Sequence, residues 1–588
     1  MKSVHPFYVA YIVTCSSLAL AATIHVNGTT GNDAWNGLCA EWDGAACGPK
    51  ASIQAGIDAA LAGDEVTIAD GVYIGLGNKN LDFGGRPITL RSASGDPNLC
   101  IIDCERDGRA FHFHAGEGPA SILQDLSIQN TTCDVGGIYC QSASPTLLNC
   151  TVTDGTATFG AGLYCESNAH PTLINCTFAN NFASRGAGVG CAQHSCPTLT
   201  NCVMRDNIAA YGAGLWCFED SAPTVTDCTI SGNIYSDFGA GVECDGSNPT
   251  FIRCTFTENR ADYGGGALHC RYATPTLINC VLSNNSGGDS GGGLCSRCGA
   301  NPLLVACTIT RNTANNRGGG VRCDDAMATL VNCAIIGNSA RYGGGLDCLS
   351  QATPILTNCV IAANTASRRG GGLRIGLSHP TLTNCILWFD FPEEISVESG
   401  SPTATYCNIQ GGWPGLGNIN ADPLFIQNPN PGPDRHRGTP DDDAGDLHLQ
   451  PASPCIDAGT NLHPPRDLLD LDDDGCRTEP VPLDLVGNAR YWDAPDTPDT
   501  GAGASPIIDM GLYEYASTPD VPPGPCAADC NCDGTVNYSD IDPFVAALAG
   551  QSSYLARYPD CFWLSADCDN DGLVSYNDIN AFVEQLTY

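Results

Sequence analysis

Two stretches near the C-terminus combine residue types at the spacing of calcium-binding loops. Each has Asp or Asn at loop positions 1, 3 and 5, Gly at position 6 and Asp at position 12, and the second follows the first by 38 residues. Calcium takes several hard oxygen ligands from one tight loop, and position 7 offers its backbone carbonyl. The predicted ligands are Asp529, Asn531, Asp533, Thr535 and Asp540 in the first loop, and Asp567, Asp569, Asp571, Leu573 and Asp578 in the second.

Each predicted loop leads into a short predicted helix, over residues 541–548 and 579–586. A calcium loop followed by one helix, present twice at a C-terminus, resembles a type I dockerin over about residues 526–588. The resemblance implies a small α-helical calcium-binding domain that binds a cohesin-like protein. The alternative is a calcium-stabilised tail that retains the protein at the cell surface. In dockerins, loop positions 10 and 11 contact the partner, and here these positions are Tyr538, Ser539, Tyr576 and Asn577.

Most of the chain upstream is built from one repeated unit. A cysteine recurs every 26 residues, with a single step of 27, and most of these cysteines are followed five residues later by Asn and then by a glycine cluster. A fixed period of this size is typical of a solenoid, in which each unit buries its apolar face only against its neighbours. The recurring cysteines are Cys150, Cys176, Cys202, Cys228, Cys254, Cys280, Cys307, Cys333, Cys359 and Cys385.

Short runs with alternating apolar positions within each unit favour strands over helices. In the recurring Pro-Thr-Leu-x-Asn-Cys, Leu lies three residues before Cys, so the alternation breaks at Asn, and we expect a left-handed bend there. One unit is therefore predicted to form one coil of a parallel β-helix with three short strands. At about 4.8 Å per coil, ten coils would make a rod roughly 50 Å long.

The Asn-x-Ala-x-x-Gly-Gly-Gly-Leu cadence resembles the repeats of chlamydial polymorphic membrane proteins and, more broadly, the pectate-lyase-like right-handed β-helix superfamily. The resemblance covers roughly residues 50–420. It implies an all-β solenoid, a right-handed parallel β-helix with coils of about 26 residues. It does not imply one function, because this fold carries lyases, hydrolases, adhesins and inert stalks.

One column of outward-pointing residues is the variable position of the recurring Gly-Leu-x-Cys, together with residues just beyond it. In pectate-lyase-like enzymes, polysaccharide lies on a face of this kind, calcium is held on acids and a basic residue takes the proton. The alternative is a solvated face with a ladder of salt bridges. The residues that fit the enzymatic roles are Glu243, Asp245 and Asp324 for calcium, and His269, Arg271 or Arg322 for the base.

A second column precedes the glycine clusters. Aromatic rings one coil apart could stack sugars, and arginine can lie flat on aromatic rings, although structural stacking alone also explains such a column. Its members are Phe159, Arg185, Tyr211, Phe238, Tyr263, Ser290, Arg317, Tyr342 and Arg369.

Charge and the N-terminal residues bear on location and partners. The 588 residues include 26 basic and 64 acidic side chains, for a net charge of −38, which repels nucleic acids and anionic membranes and suits cations. Residues 1–21 have the charge, apolar core and cleavage box of a secretory signal peptide. No later stretch is long and apolar enough to span a membrane. We therefore expect a secreted or cell-surface protein.

The remaining expectations concern cysteines and boundaries. The repeat cysteines are expected to pack as free, small apolar residues. Bridges are expected between Cys39 and Cys47, Cys100 and Cys104, Cys455 and Cys476, and among the tail cysteines. A helix over residues 51–61 should cap the solenoid. The expected regions are a signal peptide (1–21), the β-helix (22–417), its C-terminal cap (418–516), a Pro-rich linker (517–525) and the dockerin-like domain (526–588).

Two functional hypotheses remain. In the first, the β-helix binds or displays at the cell surface or on polysaccharide, without catalysis, and its dockerin-like module attaches it. In the second, it is a carbohydrate-active enzyme, a polysaccharide lyase or glycoside hydrolase. The absence of the Gly-His-Gly and Asn-Thr-Asp patterns of polygalacturonases disfavours a hydrolase of that type.

Overall fold

A computed structural model describes most of the chain. The predicted signal peptide, apart from its last residue, Cys476 and eight of the ten predicted calcium ligands lie outside the described residues. The described residues are 21–235, 237–433, 441–462, 464–467, 469, 471, 477, 479–492, 494, 497–503, 505–516, 530, 538–555, 557–558, 563–566, 568 and 574–586.

Three long parallel sheets form the body of the protein, and each regular coil gives one short strand to each sheet, so the predicted parallel β-helix is confirmed. Sheet I contains Thr23–Val26, Glu65–Ile68, Thr89–Ser92, Ile122–Gln124, Thr146–Leu148, Thr172–Ile174, Thr198–Thr200, Thr224–Thr226, Thr250–Ile252, Thr276–Ile278, Leu303–Val305, Thr329–Val331, Ile355–Thr357, Thr381–Thr383 and Thr403–Thr405. Sheet II contains Gly71–Tyr73, Cys100–Asp103, Ser127–Gln129, Thr151–Thr153, Thr177–Ala179, Val203–Arg205, Thr229–Ser231, Thr255–Thr257, Val281–Ser283, Thr308–Thr310, Ala334–Ile336, Val360–Ala362, Ile386–Trp388 and Asn408–Ile409. Sheet III contains Phe111–Phe113, Ile138–Gln141, Leu163–Glu166, Val189–Cys191, Leu215–Phe218, Val242–Asp245, Leu268–Arg271, Leu294–Arg297, Val321–Asp324, Leu346–Leu349, Leu373–Ser378 and Ile395–Gly400.

A shorter parallel sheet lies at the corner between sheets II and III. This sheet IV contains Thr156–Phe159, Phe182–Arg185, Ile208–Tyr211, Ile234–Tyr235 and Arg260–Ala261, and Ser339–Tyr342 pairs with Thr365–Arg369 further along. The solenoid is longer than the predicted ten coils, since sheet I has fifteen strands. The first coils carry few of the repeat's cysteines and asparagines, so the sequence period did not include them.

The core follows the predicted alternation. Leu147, Leu173 and Leu199 stack in exact register on sheet I and are fully buried, as are the leucine and the cysteine of the recurring Gly-Leu-x-Cys on sheet III. The predicted left-handed bend is also confirmed, because the Asn of Pro-Thr-Leu-x-Asn-Cys has φ of 56° at Asn175 and 52° at Asn201. This bend turns the chain from sheet I to sheet II in every regular coil.

A buried asparagine ladder joins the coils. In each step the side-chain oxygen of one Asn accepts hydrogen bonds from the backbone and side-chain amides of the Asn one coil earlier. Asn233, for example, donates its N–H to Asn259 Oδ1 at 3.1 Å and its Nδ2 to the same oxygen at 2.9 Å and to the Met204 carbonyl at 2.9 Å. The ladder ends where Asn364 donates to Asp390. Its members are Asn181, Asn207, Asn233, Asn259, Asn285, Asn312, Asn338 and Asn364.

The repeat cysteines are separate, buried thiols, as predicted. Cys202, for example, donates its thiol to the Leu173 and Thr200 carbonyls, and its N–H bonds the Cys228 sulfur at 3.1 Å. These contacts satisfy polar backbone groups inside the solenoid, where an unpaired group would be costly.

The predicted bridges have different outcomes. The Cys39–Cys47 disulfide is confirmed. The predicted Cys100–Cys104 bridge is wrong, because both are buried free thiols. An extended strand over Cys100–Asp103 separates their Cα atoms by about 13 Å, whereas a disulfide needs less than about 7 Å.

Both ends of the β-helix are covered. The predicted N-terminal helix is confirmed as Ile53–Ala59, whose Ser52 side chain accepts the Ala55 N–H. At the other end, an antiparallel pair of strands, Phe425–Gln427 and Asp446–Leu449, belongs to the region predicted as a cap. Apolar residues of this region pack against Trp388 and Ile386 of sheet II.

The described part of the tail is helical, with α-helices Ile541–Leu548, Gln551–Leu555 and Asp578–Gln585 and 3-10 turns Tyr538–Asp540 and Trp563–Ala566. A further 3-10 turn, Leu76–Asn78, lies near the N-terminus. Within the described residues, no helix has the length and apolarity needed to cross a membrane.

Replacement of a ladder residue should destabilise the β-helix. In Asn259→Ala, the backbone and side-chain amides of Asn233 lose their buried acceptor, so we expect a loss of about 3 kcal/mol in the free energy of unfolding. Urea unfolding followed by circular dichroism measures it. Asn315→Ala, at an exposed position, is the control. Equal unfolding midpoints for the two variants would contradict a stabilising role for the ladder.

Candidate functional site

The variable positions of Gly-Leu-x-Cys form one continuous row on the outer face of sheet III. We call this row the sheet III stripe. Strand register puts each member beside the next, one coil apart. Its members are His112, Tyr139, Tyr164, Gly190, Trp216, Glu243, His269, Cys295, Arg322, Asp347 and Arg374.

The second predicted column folds over this stripe and buries most of it. Phe159 packs against Trp216 with ring centroids 5.9 Å apart, and Phe238 stacks on His269 at 4.8 Å. The glycines between the columns permit this approach: Gly212 has φ of 56°, and a Cβ there would lie 2.9 Å from Trp216 Cβ. The two columns, predicted separately from the sequence, therefore form one surface.

A pocket of about 240 Å³ opens on this surface. Arg185 lies over the rings of Tyr211 and Trp216, with its Cζ 5.4 and 5.6 Å from their centroids. Phe218 stacks on Trp216 at 5.2 Å and extends the aromatic wall. Within the described residues, Arg185 forms no ion pair, so its guanidinium is free to meet a ligand. Glu243, Asp245 and Arg271 also line the pocket, with Glu243 beside Trp216 and Asp245 beside Phe218 in register.

Glu243 and His269 form a buried ion pair at the pocket. His269 Nδ1 donates to Glu243 Oε2 at 2.8 Å, and both side chains are almost fully buried. Burial by itself lowers the pKa of His269, but the Glu243 carboxylate and the neighbouring Cys295 thiol raise that pKa to about 10. His269 is therefore protonated at neutral pH and is not a ready proton acceptor.

Asp245 and Arg271 form the accessible pair of the pocket. Arg271 Nη2 donates to Asp245 Oδ2 at 2.7 Å, and the Arg271 side chain is 42% exposed. Burial lowers the pKa of Arg271, but the Asp245 and Glu243 carboxylates raise it overall, so this guanidinium stays charged. The pair can bind hydroxyl and anionic groups of a ligand, as a donor and an acceptor side by side.

The structure brings four of the five predicted catalytic residues together: Glu243, Asp245, His269 and Arg271. Arg322 lies two coils beyond His269, where it donates to Asp324 at 2.7 Å and to Ser290 at 2.7 Å. A catalytic role for these residues stays a prediction.

The three acids predicted to hold calcium, Glu243, Asp245 and Asp324, are not gathered at one point of the stripe. Asp245 and Asp324 are three strands apart in register, a distance of about 14 Å. Ligands of one calcium ion lie within about 2.6 Å of it, so these carboxylates cannot meet on the same ion. The sequence correctly places these acids on one face. The distance between any two of them along the stripe, however, is set by the number of coils that separate them.

In the tail, the predicted residues that the structure describes have the same burial in both repeats. Asp540 and Asp578, the ligands predicted at position 12, are fully buried next to the helices. The predicted partner-binding residues are exposed, with Tyr538 76% and Tyr576 78% accessible, and Ser539 and Asn577 beside them. Phe544 and Phe582 join the two helices, with ring centroids 4.0 Å apart.

One buried acidic cluster in the cap had no sequence signal. Asp457, Asp509 and Glu514 each bring an oxygen atom within 4.8 Å of the others. Burial raises the pKa of Asp509 to about 7. Arg490 Nη2 donates to the Asp509 and Gly511 carbonyls and packs beside the cluster. The first and second acids are 52 residues apart in sequence, so no local motif connects them.

Comparison with known proteins agrees with the architecture. Residues 136–290 match the family model described as right handed beta helix region. Similar solved structures include the pectate lyase Pel9A, with 13% identity over 85% of this chain and 98% of that one and a TM-score of 0.31. The A-module of mannuronan C-5 epimerase AlgE6 from Azotobacter vinelandii has 12% identity over 63% and 95% of the chains, with a TM-score of 0.33. Tailspike protein 3 of bacteriophage CBA120 has 14% identity over 62% and 60%, with a TM-score of 0.37. No curated protein matches the sequence. The chain thus contains a right-handed β-helix with pectate-lyase-like structural neighbours.

The raised pKa of His269 predicts an unusual titration. Because the pKa of about 10 exceeds the ordinary value of 6.5, the pair's contribution to stability is full below about pH 6.5 and is lost as pH rises toward 10. In NMR spectra of protein labelled at histidine, we expect one imidazole to stay protonated at pH 8. Glu243→Gln should lower its pKa by two or more units, whereas Glu219→Gln, at an exposed position, should not. Titration of every imidazole below pH 7.5 in the unmodified protein would refute the charged pair.

Proposed function

We propose that this protein is an exported β-helix that binds polysaccharide in the pocket beside Trp216. The observation that carries the proposal is the pocket itself, in which Arg185, free of ion pairs within the described residues, lies on an aromatic wall next to the Asp245–Arg271 pair. Aromatic faces pack on the apolar faces of sugar rings, and a few polar groups fix the orientation of the ligand.

Binding without catalysis fits the protonation of the site better than proton abstraction does. A general base must be deprotonated near the operating pH and within reach of the substrate. His269 is held as a buried imidazolium, and Arg271 is a charged guanidinium. One feature supports the alternative, a polysaccharide lyase or glycoside hydrolase: the Asp245 carboxylate reaches the pocket and is partly exposed.

Removal of two aromatic side chains from the pocket wall should weaken polysaccharide binding. For the Tyr211→Ala/Phe218→Ala double variant, we expect about a tenfold loss of affinity, because both rings are half-buried and line the pocket. Retention of the mature protein by a panel of plant and algal polysaccharides, in affinity electrophoresis, measures it. Phe182→Ala, an exposed aromatic on sheet IV outside the pocket, is the control.

The same panel separates binding from catalysis. Incubation with and without calcium, followed by assay of new reducing or unsaturated ends, detects an enzyme. Cleavage that is lost in Asp245→Asn would favour the enzymatic alternative. Absence of binding to every polymer, or equal binding by the double variant and Phe182→Ala, would disprove the proposed pocket.

We also propose that the tail binds calcium and attaches the protein to a cohesin-like partner. The support is the repeated arrangement of a buried acid next to a helix, with an exposed tyrosine two residues before it, at Tyr538 and Asp540 and again at Tyr576 and Asp578. When bound, calcium would tie each loop to its helix. The exposed tyrosines would then lie on one surface available to a protein.

Loss of the acids at position 12 should abolish calcium binding by the tail. For the full chain, we expect two calcium ions in isothermal titration calorimetry and none in the Asp540→Ala/Asp578→Ala variant, because each loop loses its final carboxylate ligand. Asp542→Ala removes an exposed acid two residues away and should bind both ions. Unchanged stoichiometry in the double variant would exclude these loops.

A further inference from the structure

The charge of the chain is unevenly distributed. Residues 291–378 contain eight arginines and three aspartates, with no lysine or glutamate, although the whole chain carries a net charge of −38. Arg311 is set apart from the other seven arginines, because its Nη2 donates to the Asp442 carbonyl in the cap. Three of the remainder line the stripe or its border, at Arg297, Arg322 and Arg374, and four lie at the corner before sheet III, at Arg317, Arg341, Arg368 and Arg369.

Four of these arginines lie next to one tyrosine, and Arg368 is the chain neighbour of one of the four. Tyr342 lies between two of them, with Arg341 Cζ 5.3 Å and Arg374 Cζ 5.1 Å from its ring centroid. Tyr342 also pairs in register with Arg369 on one side and with Arg317 on the other. We call this surface the arginine patch; its members are Arg317, Arg341, Arg368, Arg369 and Arg374.

The carboxylates beside the patch offset only part of its positive charge. Asp347 is fully buried and lies 3.0 Å from Arg374 Nη1 and 3.9 Å from Arg317 Nη1. Glu398 contacts Arg374 at 2.6 Å and Arg369 at 3.6 Å. Glu393 accepts the Gly370 N–H instead of an arginine.

The two outermost arginines keep their charge free. Arg341 and Arg368 are exposed, and among the described residues neither forms an ion pair. With three guanidinium groups already shared between two carboxylates, these two add uncompensated positive charge at the surface. A planar guanidinium binds carboxylate and sulfate oxygens in pairs, which suits it to recognise such groups.

We infer that the arginine patch binds anionic groups, sulfate esters or carboxylates, carried on the polysaccharide. The inference rests on the proposed function, because it extends the same binding surface. Register places Asp347 five strands from Trp216 along the stripe, a distance of about 24 Å. One extended saccharide of several rings can therefore contact the aromatic pocket and the patch together.

A glycan fits this surface better than a nucleic acid does. Duplex DNA carries one charge per about 1.7 Å, so any segment longer than the patch would lie against the acidic remainder of the protein. A glycan carries at most a few charges per sugar and can place them on the patch alone. The ligand class is therefore an anionic polysaccharide of moderate charge density.

The test uses the mature full-length protein and an Arg341→Gln/Arg368→Gln variant. Both arginines are exposed and form no ion pair among the described residues, so folding should be preserved, and circular dichroism checks it. The probes are κ-carrageenan for sulfate esters, alginate for carboxylates, and agarose as a neutral chain. We expect tighter binding to at least one charged polymer than to agarose, about a tenfold loss in the variant, and a shallower salt dependence. Arg106→Gln, an exposed arginine far from the patch, should bind as the unmodified protein does.

The outcomes separate the two proposals. Carrageenan binding alone would assign sulfate esters, and alginate binding alone would assign carboxylates. Equal binding of agarose and the charged polymers, or no effect of the two substitutions, would overturn the patch while leaving the pocket intact. Tighter, patch-dependent retention of a DNA duplex would also overturn it. Binding that is weakened by the arginine substitutions but unchanged in Tyr211→Ala/Phe218→Ala would support the proposal for the patch and contradict the proposal for the pocket.

Discussion

Stacking of coils in exact register is the constraint on which the rest of the molecule depends, and the buried asparagine ladder enforces it. Each Asn fills the same corner as the Asn of the next coil and satisfies amides that have no access to water. A slip of one residue would leave these groups unpaired in the core, at a cost of several kcal/mol. Because the ladder holds the corner, the following strands of sheet III align, and the side chains of the stripe lie directly above one another.

Much of the fold could be predicted because the same residue types recur at the same positions of every regular coil. The spacing of Leu and Cys gave the inward positions, and the break at Asn in Pro-Thr-Leu-x-Asn-Cys gave the left-handed corner. The regular sequence period does not extend to the early coils, because they meet the same geometric demands with other residues, such as Phe111 and Phe113 in place of Leu and Cys. Cys100 and Cys104 were misjudged because proximity in sequence is not proximity in an extended strand.

The site was harder to predict than the fold, since its geometry depends on pairs from different columns. Single residues such as Glu243 and Arg271 were identified, but the closure of Phe238 over His269 needs the glycine corner between them. That closure changes the chemistry, because it removes the acid and the imidazole from water and turns them into a fixed ion pair. What remains accessible is a set of flat rings, one mixed-charge pair and unpaired guanidinium groups, which is a surface suited to holding a ligand.

The single coil of 27 residues shows where this architecture tolerates change. Between Leu294 and Leu303 the chain carries one extra residue, yet the strands on either side keep their register with the previous coil. Gly299 lies in this turn with φ of 73° and with open space around it. Length can thus vary at the corners but not within the sheets. Tandem duplication or loss of a whole coil would therefore move one end of the binding surface by about one strand spacing, 4.8 Å, roughly the length of a sugar ring. Gain or loss of coils would therefore change the length of polysaccharide that the surface can span in discrete steps, while the residues at its two ends stay the same.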